Sequence, residues 1–310
     1  MCNPHDIFLN FKTDNHKGVF IVKKPIFDMT TAKDLMKKPI TISKSENISG
    51  AITKLFQNKI SRLLVENNGK ISEIVTEKDI VLFLLQSKAE ENLDEIPLSE
   101  VTKKLVIVEN SKSVKDSANL MLDEKISSLA VGSNGQVDGI FTKTDLTRYY
   151  AENFVGKKKV SDYMTTSYAW MFSDDSLYKI VSKMTDLKIS RIILISQSHM
   201  PDGILSLRDL LRISRNLGGE EELIDNTAPD LDVFFSRKGF LSETGFGGVT
   251  KAEQIMENKI ISVNQDEDLA KACNVMLKNK INGLGVLSND GKLAGILSKT
   301  DVTLAIATMK

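Results

Sequence analysis

Four stretches decide the fold: KISRLLVENNGKISEIVTEKDIV at 59–81, KISSLAVGSNGQVDGIFTKTDLT at 125–147, KISRIILISQSHMPDGILSLRDLL at 188–211 and KINGLGVLSNDGKLAGILSKTDVT at 280–303. Each runs Lys-Ile-small residue, apolar run, polar turn, second apolar run, then Ser/Thr-x-x-Asp. The anchors Thr76, Thr142, Ser206 and Ser298 lie 66, 64 and 92 residues apart, so an insertion of about 27 residues separates the third and fourth copies. Fixed-period self-similarity is the mark of a repeat architecture.

Working outward, Asn67-Asn68-Gly69, Ser133-Asn134-Gly135 and Asn289-Asp290-Gly291 read as hairpin turns, since Asn and Gly tolerate positive φ. The third copy has the looser Ser196 to Asp202 there. Upstream of each stretch lies an amphipathic helix with apolar residues at i, i+3, i+4 and i+7: Ile48, Ala51, Ile52, Leu55 and Phe56 in the first copy; Val114, Ala118, Met121 and Leu122 in the second. Leu177, Ile180, Val181 and Met184 repeat the pattern, as do Leu269, Ala272, Cys273, Met276 and Leu277. Short strands precede these helices at 40–42, 106–108, 169–171 and 261–263. A second helix follows each Asp. The unit is therefore βαββα, too small to bury a full core alone, so pairing is expected.

Composition narrows the function. Lys and Arg total 41, as do Asp and Glu. A neutral chain lacks the overall electrostatic pull of a dedicated DNA binder. Cys2 and Cys273 have no metal-ligand or disulfide-framework spacing, and Cys273 lies in an apolar helix stripe, as a small core residue does. His5, His16 and His199 cluster with no other ligating residue and read as surface positions. No apolar run approaches the length of a membrane span, and the N-terminus lacks signal-peptide character. The expectation is a cytoplasmic protein without a membrane partner.

The pattern of helix, strand, amphipathic helix, K-I-S-R-L-L-V, N-G-K and G-I-L-S-K-T-D resembles the cystathionine β-synthase (CBS) domain, in four copies covering about residues 32–307. The resemblance implies an α/β fold of the α+β type, in which tandem βαββα repeats pair into two Bateman modules forming a flat disc. The arrangement is similar to that of the γ subunit of AMP-activated protein kinase. The expected division is an N-terminal extension at 1–31, repeats at 32–90, 98–152, 160–216 and 251–310, and an insertion at 217–250. Residues 87–97 and 153–159 read as short polar connectors. Phe234, Phe235, Phe240 and Phe246 suggest that the insertion docks on the disc or on a partner, and Val19 to Val22 read as an edge strand.

The family binds adenosine-containing ligands, and the resemblance assigns ribose and phosphate contacts to Thr76/Asp79, Thr142/Asp145, Ser206/Asp209 and Ser298/Asp301. A carboxylate at a helix start accepts bonds from the ribose hydroxyls, the hydroxyl three residues earlier donates to phosphate, and the helix N-terminus favours an anion. The same four residues also spell a helix capping box, and both readings stand at this point. The resemblance adds Thr41 and Ser262 in the first strands, with Ile107 and Trp170 at the aligned positions, and Thr165, from the Met164-Thr165 pair, as an adenosine contact. Trp170 reads either as a base-stacking ring or, more commonly for a lone Trp, as core. Arg62 and Arg191 alternate with Ser128 and Gly283 and are expected to reach phosphates at the disc centre. Lys78, Lys143, Arg208 and Lys299 either touch phosphate or face water, and Lys59, Lys125, Lys188 and Lys280 are equally open. Gly139, Gly203 and Gly295 would permit close approach to the ligand, and Glu73, in the first copy, would crowd it.

The expected function is that of a stand-alone, non-catalytic sensor of AMP, ADP or ATP that signals energy state to a protein partner, as a single-chain disc or a homodimer. No cofactor is required, with Mg2+ an optional companion of the nucleotide. Alternatives are S-adenosylmethionine, coenzyme A or a dinucleotide as ligand, and, in another class, a nucleic-acid-binding regulator. The inequality of the copies predicts fewer than four equivalent sites.

Overall fold

The computed structural model describes residues 30–84, 92–198, 200–207, 209–211, 241–256 and 260–309. The readings made for His5, His16, His199, Arg208, Val19 to Val22, Phe234, Phe235 and Phe240 lie outside them. Each repeat is one small sheet flanked by helices. The first contains α1 (Ala32–Leu35), β1 (Thr41–Ser43), α2 (Ile48–Gln57), the hairpin β2 (Arg62–Asn67) and β3 (Lys70–Thr76), and α3 (Glu77–Leu84). A short β4 (Lys103–Lys104) adds to β3. The second has β5 (Ile107–Glu109), α4 (Val114–Asp123), β6 (Ser128–Ser133), β7 (Gln136–Thr142) and α5 (Lys143–Asn153). The third has β8 (Trp170–Phe172), α6 (Leu177–Asp186), β9 (Arg191–Ile195) and β10 (Pro201–Ser206), with helical backbone resuming at Leu207. A turn of helix, α7 (Phe246–Val249), closes the insertion. The fourth has β11 (Ser262–Asn264), α8 (Leu269–Lys278), β12 (Gly283–Leu287), β13 (Leu293–Ser298) and α9 (Lys299–Ala307).

The short strand runs parallel to the first hairpin strand, always in one register: Thr41 faces Leu64, Ile107 faces Ala130, Trp170 faces Ile193 and Ser262 faces Gly285. These strands begin one residue later than the sequence suggests. Asn68 and Asn134 adopt positive φ at the hairpin turns, as expected, and so do Gly69, Gly135 and Gly291.

The recurrent Lys-Ile has a structural reason that the sequence reading left open. Lys59, Lys125, Lys188 and Lys280 all adopt left-handed backbone, with φ of 53°, 55°, 56° and 55°. Each terminates its amphipathic helix, and the following Ile N–H returns to a carbonyl one turn back: Ile60 to Leu55 at 3.0 Å, Ile126 to Met121 at 3.1 Å, Ile189 to Met184 at 2.9 Å and Ile281 to Met276 at 3.0 Å. This is the Schellman pattern, with its hydrophobic contact supplied by the same Ile.

The four repeats close into a ring of contacts. One apolar core joins α2 and α3 of the first repeat to α6 and Leu207, Leu210 and Leu211 of the third. A second joins α4 and α5 to α8 and α9. Leu64, Leu105 and Ala130 seal the sheet side between repeats one and two. Cys273 is fully buried in the second core, where burial pushes its thiol up to about 12. The segment before repeat two is not a simple polar connector, because Leu93 and Ile96 are buried in the first core. Leu241 and Phe246 of the insertion enter the same core, so this end of the insertion docks on the chain itself.

Within each module the segments leading into the first strands are exchanged. The Thr30 carbonyl, ahead of repeat one, accepts from Val114 N–H at the start of α4 in repeat two at 3.0 Å, and the Ile96 carbonyl, ahead of repeat two, accepts from Ile48 N–H of α2 at 3.1 Å. Lys158 to α8 (Leu269 N–H) and Thr250 to α6 (Leu177 N–H) repeat the exchange at 2.9 Å each. Each leader thus supplies an acceptor to a helix start that would otherwise be unsatisfied.

Because a non-glycine residue in left-handed backbone costs about 1 kcal/mol, replacing Lys59, Lys125, Lys188 or Lys280 by Gly should stabilise the fold by up to about 1 kcal/mol each. Denaturant midpoints check this, and loss of stability in all four variants would contradict the helix-stop role.

Candidate functional site

After capping the mate's helix, the leaders of repeats one, two and three cross the mate's second hairpin strand. Lys37 exchanges two backbone bonds with Ile140, at 2.9 and 2.8 Å, and Thr165 does so with Ile296, at 2.9 and 3.0 Å. Lys103 sits opposite Ile74 in the same way. This accounts for two of the glycines. A Cβ on Gly139 would come within 2.6 Å of Met36 Sδ, and one on Gly295 within 2.7 Å of the Thr165 carbonyl. What approaches closely is the chain's own leader, where the sequence reading expected a ligand. Glu73, at the corresponding place in repeat one, lies opposite Lys104 and pairs with Lys44 Nζ at 3.0 Å.

The Ser/Thr-x-x-Asp motifs lie at the helix starts beneath these leaders. In every copy one carboxylate oxygen does the capping. Asp145 Oδ2 accepts from Thr142 N–H at 3.0 Å and Thr142 Oγ1 at 2.6 Å, and Asp301 Oδ2 from Ser298 N–H at 2.6 Å and Ser298 Oγ at 2.7 Å. Asp79 with Thr76 and Asp209 with Ser206 do the same. The hydroxyl proton expected to reach phosphate is therefore given to the Asp. The second oxygen, Oδ1, is turned toward the leader. Asp79 Oδ1 pairs with Lys103 Nζ. Asp145 Oδ1 receives Lys37 Nζ at 2.6 Å and the Arg148 guanidinium at 3.3 Å. Asp301 Oδ1 meets only the Thr165 hydroxyl, at a long 3.4 Å, and Asp209 Oδ1 has no further bond among the described residues. Capping thus takes one oxygen of each carboxylate and leaves the other for contacts outside the cap.

The alternation of arginine with small residues has a geometric basis. Arg191 of repeat three crosses to repeat four, where its Nη1 donates to the Asn282 carbonyl at 2.8 Å and lies where a Cβ on Gly283 would be, 2.0 Å away. Gly283 is the strand partner of Ser298, so the guanidinium lies beside the capping motif of repeat four. Desolvation lowers the Arg191 pKa to about 10, while Asp301 and Asp209 oppose the shift; it stays charged at neutral pH. Arg62 makes the matching crossing, donating to Ser127 Oγ of repeat two at 3.2 Å. Ser128, next to it, pairs with Thr142.

Lys299 is buried and Lys143 half-buried. Lys143 Nζ donates to Thr300 Oγ1 and Lys299 Nζ to Thr144 Oγ1, both at 3.1 Å, a reciprocal brace between α5 and α9 across the two modules. Burial lowers the Lys143 pKa to about 8; Asp301 opposes the shift and the Arg62 charge adds to it. Lys78 is exposed. Thr41 and Ser262 are half-buried at the starts of β1 and β11. Trp170 at the start of β8 is 45% exposed, with its ring edge-on to Phe172 at 5.5 Å, so it is not core filling.

The structure therefore groups the expected residues across repeats, in two similar constellations. One holds Asp145 and Thr142 with Arg62 and the leader of repeat one. The other holds Asp301 and Ser298 with Arg191 and the leader of repeat three. Asp79 and Asp209 receive no crossing arginine, since Ser128 and Gly283 stand at the corresponding positions. Lys37 and Lys103 went unread in the sequence. Their signal was the doublets Lys37-Lys38 and Lys103-Lys104, each beginning four residues before the aligned Thr41 and Ile107. Two open surface depressions, of about 500 Å3 along α2 and 390 Å3 between Asp174 and Val249, contain none of these residues. Among the described residues there is no cluster of three metal-ligating side chains, and no helix long and apolar enough to cross a membrane.

Comparison with known proteins bears on the fold. Protein MJ1225 of Methanocaldococcus jannaschii is 23% identical over 282 residues, spanning 86% of this chain and 94% of that protein. Its crystal structure, presented as that of a candidate archaeal homologue of γ-AMPK, superposes with a TM-score of 0.74 at 20% identity, covering 90% of this chain and 100% of the other. A conserved Pyrococcus horikoshii protein superposes with a TM-score of 0.58 at 17% identity, covering 89% and 100%. A 33.4 kDa protein of Thermofilum pendens is 22% identical over 87% of this chain and 88% of its own length. The CBS-domain model matches residues 32–86, 96–152, 160–216 and 252–308. Four such matches, on a fold of four βαββα units paired by exchanged leaders, place this chain in the CBS-domain family.

Proposed function

We propose that the protein is a regulatory sensor of adenosine-containing ligands, AMP, ADP or ATP foremost, held in clefts between module mates and read by a protein partner. The observation that carries this reading is the crossing of Arg62 and Arg191 onto the Ser/Thr-x-x-Asp of the mate. Each crossing sets a guanidinium, suited to phosphate oxygens, near a carboxylate whose Oδ1 can accept ribose hydroxyls. The pressure of Arg62 on Lys143 supports it further, because like charges held together in a partly desolvated place favour an anion between them. The Asp145 and Asp301 clefts are the two competent ones. Thr41 flanks the first, and Thr165 and Trp170 flank the second. Asp79, Asp209 and Ser262 belong to weaker clefts that receive no arginine from the mate. Lys143 and Lys299, joined across the modules, couple the competent clefts, so a ligand that prefers one arrangement of the brace shifts the relation between modules. Catalysis is not part of the proposal. Mg2+ enters only as a companion of the nucleotide, and the cytoplasm is its proposed location.

Calorimetry with AMP tests the reading. Asp145→Ala and Asp301→Ala should each remove one binding event, at a cost of about 1 kcal/mol in stability from the lost cap. Unchanged affinity and stoichiometry in the double variant would refute it. Replacing both Arg62 and Arg191 by Ala should weaken ATP and ADP at least about tenfold, the scale of two lost charge-assisted bonds, and leave adenosine nearly unaffected. Equal losses would refute the phosphate role.

Lys143 gives a pH signature. Its folded pKa of about 8 lies below the ordinary 10.5, so between these values the unfolded chain binds more protons. Stability contributed by this group therefore rises as pH climbs from about 8 to about 10.5. An arriving phosphate restores the charge. AMP binding at about pH 8.5 should take up protons, seen as heats that vary with buffer ionisation enthalpy. Adenosine binding and the Lys143→Met variant should lack the effect.

A further inference from the structure

The two modules treat the same carboxylate oxygen differently. In module one the leader delivers a lysine to it: Lys37 to Asp145 at 2.6 Å and Lys103 to Asp79. In module two the leader of repeat three delivers Thr165 to Asp301 at 3.4 Å, a distance at which little hydrogen bonding remains. The backbone placement is common to all three, because Lys37, Lys103 and Thr165 face Ile140, Ile74 and Ile296 of the mates. The leaders therefore differ in the side chain alone, and Asp145 Oδ1 is held in addition by the Arg148 guanidinium at 3.3 Å, where repeat four has Leu304. The carboxylates are nearly closed to solvent, with side-chain exposures of 5% for Asp145 and 7% for Asp79. The lysines retain 57% and 62% and are free to swing away.

We infer that Lys37 and Lys103 are built-in competitors for the ribose hydroxyls, holding the two clefts of module one latched while the Asp301 cleft stands open. The inference rests on the proposed ribose role of these carboxylates and adds an order to it. A ligand entering beside Asp301 meets an acceptor whose oxygen is only weakly engaged. One entering beside Asp145 must first displace an ammonium. Exposed ion pairs are weak, so the latch grades affinity without blocking entry. The Asp301 cleft fills at lower ligand concentration, and the Asp145 cleft responds at higher concentration. At Asp79 the latch acts on a cleft that also lacks a crossing arginine, which leaves it the weakest of the three.

The test uses the full chain and adenosine, which carries the ribose but no phosphate for a lysine to attract. Lys37→Thr copies the residue that module two presents. It should tighten adenosine binding at the Asp145 cleft about threefold to fivefold, leave the Asp301 cleft unchanged, and reduce the salt dependence of the Asp145 event, which in the native chain strengthens as NaCl rises, to the part that the Arg148 pair sustains. Lys37→Arg should retain the native affinity. Unchanged or weaker binding at the Asp145 cleft in Lys37→Thr, with the Asp301 event intact, would overturn the latch and leave the proposed function standing. Absence of adenosine binding in both native chain and variant would overturn the proposed function itself. The latch also has a ligand-free readout. Asp145→Asn should shift the NMR resonance of the Lys37 side-chain ammonium, and an unmoved resonance overturns the latch whatever binds.

Discussion

Everything in this molecule depends on the exchange of leaders between module mates. The first turn of an α-helix has N–H groups with no partner inside the helix. Here side-chain caps at Asn47, Ser113, Ser176 and Asp268 satisfy part of that need, and a carbonyl from the mate's leader takes the first N–H. No repeat completes its own helix start. The same leader then lies across the mate's hairpin, where Gly139 and Gly295 leave room, and arrives at the mate's capping Asp. Sheet packing, helix capping and the surroundings of the capping Asp are thus fixed by one stretch of backbone.

The arginine crossings follow the same logic of paired, unlike repeats. An arginine can reach over the mate only where the mate offers a small residue, and Ser128 and Gly283 are those residues. This divides four similar sequences into two that donate a guanidinium and two that receive it. A chain with no net charge thereby concentrates cations locally. Arg62, Lys143, Arg191 and Lys299 all sit near the starts of α5 and α9, where the positive ends of the helix dipoles add to the field.

Much of this was legible in the sequence because it is local. The 3.6-residue stripes, the Asn-Gly turns and the Ser/Thr-x-x-Asp starts are set by residues within a few positions of one another, and they produced the helices, hairpins and caps they predict. The Arg/Ser and Arg/Gly alternation was visible too, although the partner of each arginine was not, since Arg62 meets Ser127 and Arg191 meets Asn282 across the module. The Lys-Ile pair was seen as a signature but not as a helix stop, because Lys is an uncommon residue in left-handed backbone. Leu93 and Ile96 lie in a stretch that reads as connector, since their burial is decided by a core shared with the third repeat. The capping reading of Asp is met by Oδ2 in every copy, and a sequence does not distinguish that oxygen from Oδ1.

The exchanged leaders also bear on the order in which the chain is assembled as it emerges from the ribosome. The carbonyl of Thr30 waits for Val114, and Lys37 waits for Ile140, so the first hundred or so residues leave the exit tunnel without the contacts that finish them. Repeat one therefore matures only when repeat two has been synthesised, and repeat three only when repeat four has. Domains generally fold as units during synthesis; here the exchanged leaders close within a module, while the apolar cores that join repeat one to three and two to four await the second module. A nascent chain paused within repeat two exposes an uncapped helix start and an uncovered hairpin, whereas a pause after Asn153 leaves both sealed within the first module.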